Sequence, residues 1–299
     1  MSGRNIAALL LLASAAWAPA PCGDSCRWVE SESGRFWCNE RYLHPDPNAD
    51  TDGLRQMEVA RRGYLYALAA GLVMQKPAEV CHRFAAPRRL VEVRPRPEAT
   101  SSGFEATTFE VRSRVHPDDV EEVVVAFAGT DEILDWTADL GISNSQYDEA
   151  SRYTAAVSQR YPGKRLVVTG FSLGGALALH VLNDEKTSAL IAECWALNPS
   201  PVIHANVRPD PRIWLATSQR DILKFVRLNH LGAPEAQSAT GYDLVSTRHL
   251  DAHHYWVLLR SLLWFADLAL QDPGDRTRST EPLEILRLSA FSACRRTGE

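Results

Sequence analysis

The chain has 299 residues, of which 45% are apolar and 23% are charged. This is the composition of a globular protein with enough apolar residues for one large core. The formal net charge is −5 and no basic stripe is present. The chain therefore lacks the charge pattern of a nucleic-acid-binding protein.

The first twenty residues have the pattern of a secretory signal. Arg4 supplies the positive charge, an apolar run follows over Ile6–Ala18, and Ala18 and Ala20 have the small-x-small spacing of a cleavage site. The apolar run is too short to span a bilayer comfortably, and no later stretch is apolar for long enough. We therefore expect cleavage after about Ala20 and a secreted or periplasmic protein without a transmembrane segment.

Six cysteines follow the predicted cleavage site. An even number in an exported chain favours disulfides, but the sequence does not choose among the pairings. Cys22 lies directly after the cleavage site, so lipidation is an alternative, although Pro21 does not suit that motif. A zinc site at the first cysteines lacks a second pair of ligands at a matching spacing. The six are Cys22, Cys26, Cys38, Cys81, Cys194 and Cys294.

Residues 21–52 are irregular and rich in Cys, Pro and Asp. The stretch Asp46–Gly53 resembles a calcium loop, but Val59 stands where the bidentate Glu is required. Capping of a helix by Thr51 or Asp52 is the better interpretation. Apolar residues at helical spacing then predict a helix over residues 54–75, before Pro77.

The rest of the chain alternates between strand and helix patterns. This alternation, with strands that are apolar throughout, predicts an α/β fold with a mostly parallel sheet and helices on both faces. With no internal repeat or linker, residues 21–299 are expected to form one domain. The predicted strands are 89–93, 107–114, 121–129, 165–169, 193–199 and 212–218, and the later helices are 146–160, 173–184 and 255–270.

The junction of one such strand and helix carries a serine between two glycines. Gly170, Ser172 and Gly174 form a G-x-S-x-G motif directly after the strand and before the helix. Such a turn exposes the Ser hydroxyl at the carboxyl edge of the sheet, beside a helix N-terminus that favours negative charge. Ser172 is therefore the predicted nucleophile.

A nucleophilic serine needs a base and a carboxylate that orients the base, and both follow the serine in this architecture. Asp221 lies just past the strand 212–218, at the carboxyl edge. Asp210 precedes the same strand and so lies at the wrong edge, and Asp243 lies in a polar loop. Asp221 is therefore the predicted orienting residue.

Four histidines follow Asp221. The base is expected in the loop before the helix 255–270, which excludes the first of the four. The other three remain open. His254 adjoins the first helical turn, His253 precedes it with a freer backbone, and His249 requires the loop to double back. In chain order the four are His230, His249, His253 and His254.

An oxyanion hole must bind the charge that develops on the substrate carbonyl. The backbone N–H of Leu173, the residue after the nucleophile, is one predicted donor. Thr130, at the end of the strand 121–129, offers a backbone N–H and a hydroxyl as the second.

The stretches "VVVAFAGTDEILDWTADL", "VVTGFSLGGALA" and "SQRDIL" resemble the class 3 lipase family of α/β-hydrolases. The resemblance covers residues 123–221 well and the His region loosely. It implies Ser172 as nucleophile, Asp221 as orienting acid, and Thr130 with Leu173 as oxyanion hole. The family has a His, two residues and then an aromatic residue, a spacing that favours His253 over its neighbours as the base.

Two positions depart from the family pattern. Ala128 stands where the family usually has Arg, and Phe171 where it often has His. Neither position belongs to the triad, but loss of the Arg removes a brace for the oxyanion loop. The resemblance also implies that Cys294 pairs with a distant cysteine near the N-terminus.

These features predict an exported serine carboxylic-ester hydrolase, a lipase that acts on acyl lipids at a lipid–water interface, without metal or other cofactor. The stretch Asp131–Trp136 lies where the family carries a lid over the site. A phospholipase or soluble esterase with the same triad is the alternative within enzymes. A hydrolase-fold protein that only binds a partner is the alternative of another class.

Overall fold

The computed structural model describes residues 51–75, 83–129, 144–219, 221, 223, 231–242, 253–271 and 278–289. The predicted signal, the boundary at residue 20, the proposed lid and every cysteine except Cys194 lie outside these residues. Thr51 and Asp52 belong to a helix, so the structure extends the predicted helix towards the N-terminus.

The described residues contain a seven-stranded sheet, and its strands lie side by side in chain order. The first two steps, from β1 to β2 and from β2 to β3, are antiparallel. All later neighbours are parallel. The strands are β1 Leu90–Glu92, β2 Ala106–Arg112, β3 Val120–Phe127, β4 Arg165–Phe171, β5 Glu193–Leu197, β6 Ile213–Thr217 and β7 Ser238–Thr240.

Helices cover both faces of this sheet, which confirms the predicted α/β architecture. The first and fourth helices pack together on one face, and the second and third pack on the other. The helices are α1 Thr51–Met74, α2 Asn144–Arg160, α3 Leu173–Asn183, α4 Tyr255–Leu270 and α5 Glu281–Leu288. Within the described ranges, no helix has the length and apolarity needed to cross a bilayer.

Alternate residues of the central strands enter two separate cores. On β3, Val124 and Ala126 join the core under α1 and α4, whereas Val123 and Val125 join the core under α2 and α3. All four are fully buried. The continuous apolar pattern of this strand therefore follows from a sheet that is covered on both sides.

The parallel register brings the ends of the central strands to one edge. Phe127 of β3 pairs with Gly170 of β4, Phe171 with Leu197 of β5, and Leu197 with Ala216 of β6. The residues that follow these strands therefore meet at the carboxyl edge, which is where open α/β sheets place their sites.

Ion pairs connect strands β3, β4 and β5 at the opposite edge of the sheet. Arg165, at the start of β4, contacts both Glu122 of β3 and Glu193 of β5. Glu193 also pairs with Arg62 of α1. These contacts join neighbouring strands to the covering helix at the end remote from Ser172.

Candidate active site

Ser172 occupies the sharp turn between β4 and α3. Its φ of 55° and ψ of −118° lie in a region that non-glycine residues rarely adopt. The backbone is held on both sides, because Ser172 N–H donates to Leu197 O over 2.9 Å and Ser172 O accepts from Ala176 N over 3.1 Å. The surrounding sheet and helix thus fix the serine in this conformation.

The two glycines of the motif are required by close backbone contacts. A Cβ on Gly170 would lie 2.2 Å from the backbone of Gly174, and a Cβ on Gly174 would lie 2.1 Å from the carbonyl oxygen of Phe127. Any side chain at either position would therefore separate the strand from the helix and displace the turn.

The structure brings Ser172, His253 and Asp221 together. Ser172 Oγ and His253 Nε2 are 2.8 Å apart, and His253 Nδ1 and Asp221 Oδ1 are also 2.8 Å apart. The exposed fractions are 6% for Ser172, 3% for His253 and 1% for Asp221. With Nδ1–H donating to the carboxylate, Nε2 is left to accept the serine O–H, which is the arrangement a general base requires.

Asp221 is oriented by its own turn. Its Oδ1 also accepts from the backbone N–H of Leu223 over 2.9 Å, and the turn begins directly after β6, at the carboxyl edge. The rival Asp210 lies before β6 and pairs with Arg212 over 2.6 Å, an ion pair remote from Ser172. Asp243 lies outside the described residues.

His254, the residue after His253, lies at the start of helix α4. His254 is exposed, takes the N-cap position of α4, and its ring stacks on Trp256 with centroids 6.0 Å apart. His253 instead packs against Phe171, with centroids 5.1 Å apart. His230 and His249 lie outside the described residues.

Of the predicted oxyanion donors, the structure describes Leu173 but not Thr130. Leu173 is the first residue of α3, so its N–H belongs to the first turn, whose amides have no partner inside the helix. Gly129, just before Thr130, lies against the turn between β4 and α3, since a Cβ there would be 2.5 Å from Phe171 O.

A methionine that the sequence pattern did not identify supports this loop. The N–H of Gly129 donates to the thioether of Met74, the last residue of α1, over 2.9 Å, and Ala128 N–H donates to Glu105 O over 3.0 Å. These contacts hold the segment that contains Ala128. A buried Met at a helix end is most simply read as core, so no sequence signal identified it.

The structure describes one of the six cysteines. Cys194, the second residue of β5, is a free thiol, so it takes part in none of the disulfides expected of an exported chain. It is fully buried, and burial raises the pKa of the thiol well above its usual range. The other five cysteines lie outside the described residues. Among the described residues, no group of His, Cys, Asp and Glu is arranged to hold a metal ion.

Residues 66–188 match the model of a family described as the Tle-like phospholipase domain. The matched segment contains β1 to β4 and the turn at Ser172, and supports the coarse interpretation of a lipid ester hydrolase. With the sheet order and the serine turn, it agrees with the resemblance to lipases of the α/β-hydrolase fold. No curated protein matches the chain.

Solved structures similar to this chain include several lipases. A Rhizomucor miehei lipase propeptide complex is 16% identical with a TM-score of 0.38, over 56% of this chain and 62% of that one. The chain thus spans less than two thirds of that protein. A triacylglycerol lipase from Penicillium expansum is 15% identical with a TM-score of 0.37, over 56% and 72%. A lipase from Yarrowia lipolytica is 14% identical with a TM-score of 0.36, over 56% and 74%.

Proposed function

We propose that this chain, which carries a lipase-like domain, is an exported serine hydrolase that cleaves the carboxylic esters of acyl lipids. The observation that carries the proposal is the continuous hydrogen-bonded series from Ser172 through His253 to Asp221 at a strained strand-to-helix turn. A protein that only binds a partner has no need for this series, which is the argument against the non-catalytic alternative.

In the acylation step, His253 Nε2 takes the proton from Ser172 Oγ as the oxygen attacks the ester carbonyl carbon. Asp221 stabilises the imidazolium that forms. The tetrahedral intermediate then collapses, the bond to the leaving oxygen breaks, and His253 Nε2 gives its proton to the departing alcohol. The acyl group remains on Ser172.

In the deacylation step, water takes the place of the alcohol. His253 removes a proton from the water as its oxygen attacks the acyl carbon, and the second tetrahedral intermediate releases the fatty acid. The same proton returns to Ser172 Oγ, which restores the free enzyme. Both halves use the residues of this chain alone.

The negative charge on the carbonyl oxygen needs fixed donors in both steps. We assign these to the backbone N–H of Leu173 and to Thr130. The position of Leu173 in the first turn of α3 supports its role, since the N-terminus of a helix favours negative charge. The contact of Gly129 with Met74 supports the role of the loop that leads to Thr130.

Glycerophospholipids are the favoured substrate class, because the matched family is described as a phospholipase domain. Triacylglycerols and soluble esters use the same chemistry and are the alternatives. Export is proposed on the signal-like residues 1–20 alone.

The proposal is tested with purified protein on a p-nitrophenyl ester, phosphatidylcholine vesicles and a triacylglycerol emulsion. We expect hydrolysis of the vesicle lipid and the short ester. Ser172→Ala should lower both rates by several orders of magnitude, because the nucleophile is lost while the oxyanion donors remain. The substitution removes one oxygen, so the thermal unfolding midpoint should stay close to that of the unsubstituted protein.

The possible results separate the alternatives. Hydrolysis of the emulsion but not the vesicles would identify a triacylglycerol lipase, and hydrolysis of the short ester alone a soluble esterase. Turnover that persists in Ser172→Ala would place the nucleophile elsewhere. No hydrolysis of any ester by the unsubstituted protein would favour the binding protein.

A further inference from the structure

A buried asparagine lies between the strand end that supports Ser172 and the turn that carries Asp221. Asn198 follows β5 directly and is 0% exposed. On one side of it, Leu197 O accepts from Ser172 N, and on the other, Ser200 N–H donates to Ser172 O over 3.0 Å. The chain around Asn198 therefore encloses the nucleophile turn.

The side chain of Asn198 points to the other half of the site. Its Oδ1 accepts from the backbone N–H of Ser218 over 2.9 Å, and the backbone N–H of Asn198 donates to Ala216 O over 3.0 Å. Ser218 is the first residue after β6, three positions before Asp221. Asn198 thus fixes the point at which the acid-bearing turn leaves the sheet.

Two features indicate that the bond to Ser218 accounts for an asparagine at position 198. The φ of Asn198 is 40°, a left-handed conformation in which Asn is among the few favoured residues other than glycine. The amide Nδ2 is buried with no hydrogen-bond partner among the described residues, which is unfavourable for a buried donor. A glycine would satisfy the backbone without that penalty, but it would not bind Ser218.

We infer that Asn198 is a positioning residue that acts through Asp221: its side-chain carbonyl holds the Ser218 turn so that the carboxylate meets His253 Nδ1. The inference rests on the proposed function, since it assigns a second support to the same triad. Loss of the bond lets the turn shift, the carboxylate moves relative to the imidazole, and the base is no longer aligned with Ser172.

The test is the substitution Asn198→Gly, which keeps the left-handed backbone and removes only the side chain. The matched control is His204→Gly, because His204 lies on the same connection after β5, also has a positive φ of 50°, and is exposed. We expect kcat of Asn198→Gly to fall about 10- to 100-fold, the scale of a small misplacement of catalytic groups. KM should stay within about twofold, and His204→Gly should retain its kcat.

A double-mutant cycle tests whether Asn198 acts through Asp221. In an Asp221→Ala background the carboxylate is absent, so adding Asn198→Gly should lower kcat no further. Equal loss in both backgrounds would overturn the inference, because Asn198 would then act on something else. An unchanged kcat in the single variant would also overturn it.

A spectroscopic measurement separates this inference from the proposed activity. The proton of the His253–Asp221 bond gives a strongly deshielded signal in the proton NMR spectrum of a buried His–carboxylate pair. We expect that signal to shift or broaden in Asn198→Gly and to stay in place in His204→Gly. This result in a protein that hydrolyses no ester would overturn the proposed function and leave the inference intact, whereas an unchanged signal would overturn the inference.

A second variant covers the case in which Asn198→Gly does not fold. Asn198→Asp keeps an oxygen in the acceptor position and a residue type that tolerates a positive φ. It should retain the deshielded signal and more of the native kcat than Asn198→Gly. Loss of the signal in a folded Asn198→Asp protein would contradict the role of the side-chain oxygen.

Discussion

At the scale of single residues, one of the closest backbone contacts in the described part of the chain lies at Gly174. We expect Gly174→Ala to destabilise the fold by about 1–3 kcal/mol, the usual cost of overpacking. We also expect a loss of at least about 100-fold in kcat/KM, because the added Cβ would lie 2.1 Å from a main-chain oxygen and must move the serine. Urea unfolding and ester hydrolysis measure the two effects.

The control for this change is Gly163→Ala. Gly163 has a φ of 74° and nothing within 4 Å of an added Cβ, so it tests backbone strain without crowding. It should lower stability by about 1 kcal/mol and leave hydrolysis unchanged. Equal activity losses in the two variants would show that crowding at the turn between β4 and α3 is not the cause of the lost activity.

The two adjacent histidines give a second residue-level prediction. His253→Ala should reduce hydrolysis by several orders of magnitude, since it removes the only imidazole in contact with Ser172 among the described residues. His254→Ala should remain within a few-fold of the unsubstituted protein, because its exposed ring stacks on Trp256. The reverse order of the two activities would exclude His253 as the base.

Sequence patterns predicted some of these residues and not others. Ser172 is marked by its glycines, and Asp221 by its place after a strand, because both signals are local. The supports from Met74 and Asn198 join segments that are far apart in the chain, and a thioether or an amide at a strand or helix end has many ordinary roles. Contacts of this kind follow from the packed structure and not from local pattern.

At the scale of elements, α1 packs closely against the sheet at Gly63. A Cβ there would lie 2.1 Å from the ring of Trp195. That ring is held by stacking on Trp214, with centroids 4.9 Å apart, and by donation from its Nε1–H to Glu193 over 3.0 Å. The aromatic ring therefore has no room to move away from the helix.

We expect Gly63→Ala to lower the free energy of unfolding by up to about 2 kcal/mol. Overpacking costs about 1–3 kcal/mol, and the better helix propensity of alanine recovers only about 1 kcal/mol. Gly71→Ala on the same helix is the matched control. Its neighbour is a terminal methyl of Leu259 at 2.2 Å, which can rotate away, so that variant should be neutral or slightly stabilised in urea unfolding.

Agreement between predicted and observed elements depends on their length and period. The helix predicted over residues 255–270 has those bounds in the structure, because its apolar pattern is long. β7 was not predicted, since Ser238–Thr240 has only three residues and lacks a periodic signal. The antiparallel direction of β1 and β2 was also not predicted, because an apolar run does not encode the direction of its neighbour.

At the scale of the whole molecule, buried tyrosines link stability to alkaline pH. Burial raises the pKa of Tyr64 to about 12, and burial likewise raises the pKa values of Tyr66, Tyr147 and Tyr242. A folded-state pKa above the unfolded value of about 10 means that the stabilisation is present below pH 10. It is lost as the pH rises through the folded-state pKa.

We therefore expect the free energy of unfolding to fall steeply from pH 10 upward. Tyr64 alone accounts for up to about 2.7 kcal/mol between pH 10 and 12, at about 1.36 kcal/mol per pKa unit. Urea unfolding at a series of pH values measures the slope, which should be shallower in Tyr64→Phe. Only the slope is compared, because Tyr64 also contacts Glu281 and Arg89. A flat profile up to pH 11.5 would contradict this prediction.

The chain order of the strands has a consequence for how the molecule assembles. Each strand pairs with its neighbours in the chain, so the sheet can grow from its first strand as the polypeptide is synthesised, with little loop closure at each step. Helix α1 behaves differently, because its main helical partner is α4, which is synthesised about two hundred residues later and begins directly after His253. A nascent chain can therefore hold Ser172 in a nearly complete sheet while its base is still undocked. We expect hydrolytic competence to appear only when the first and fourth helices meet, late in the maturation of the protein.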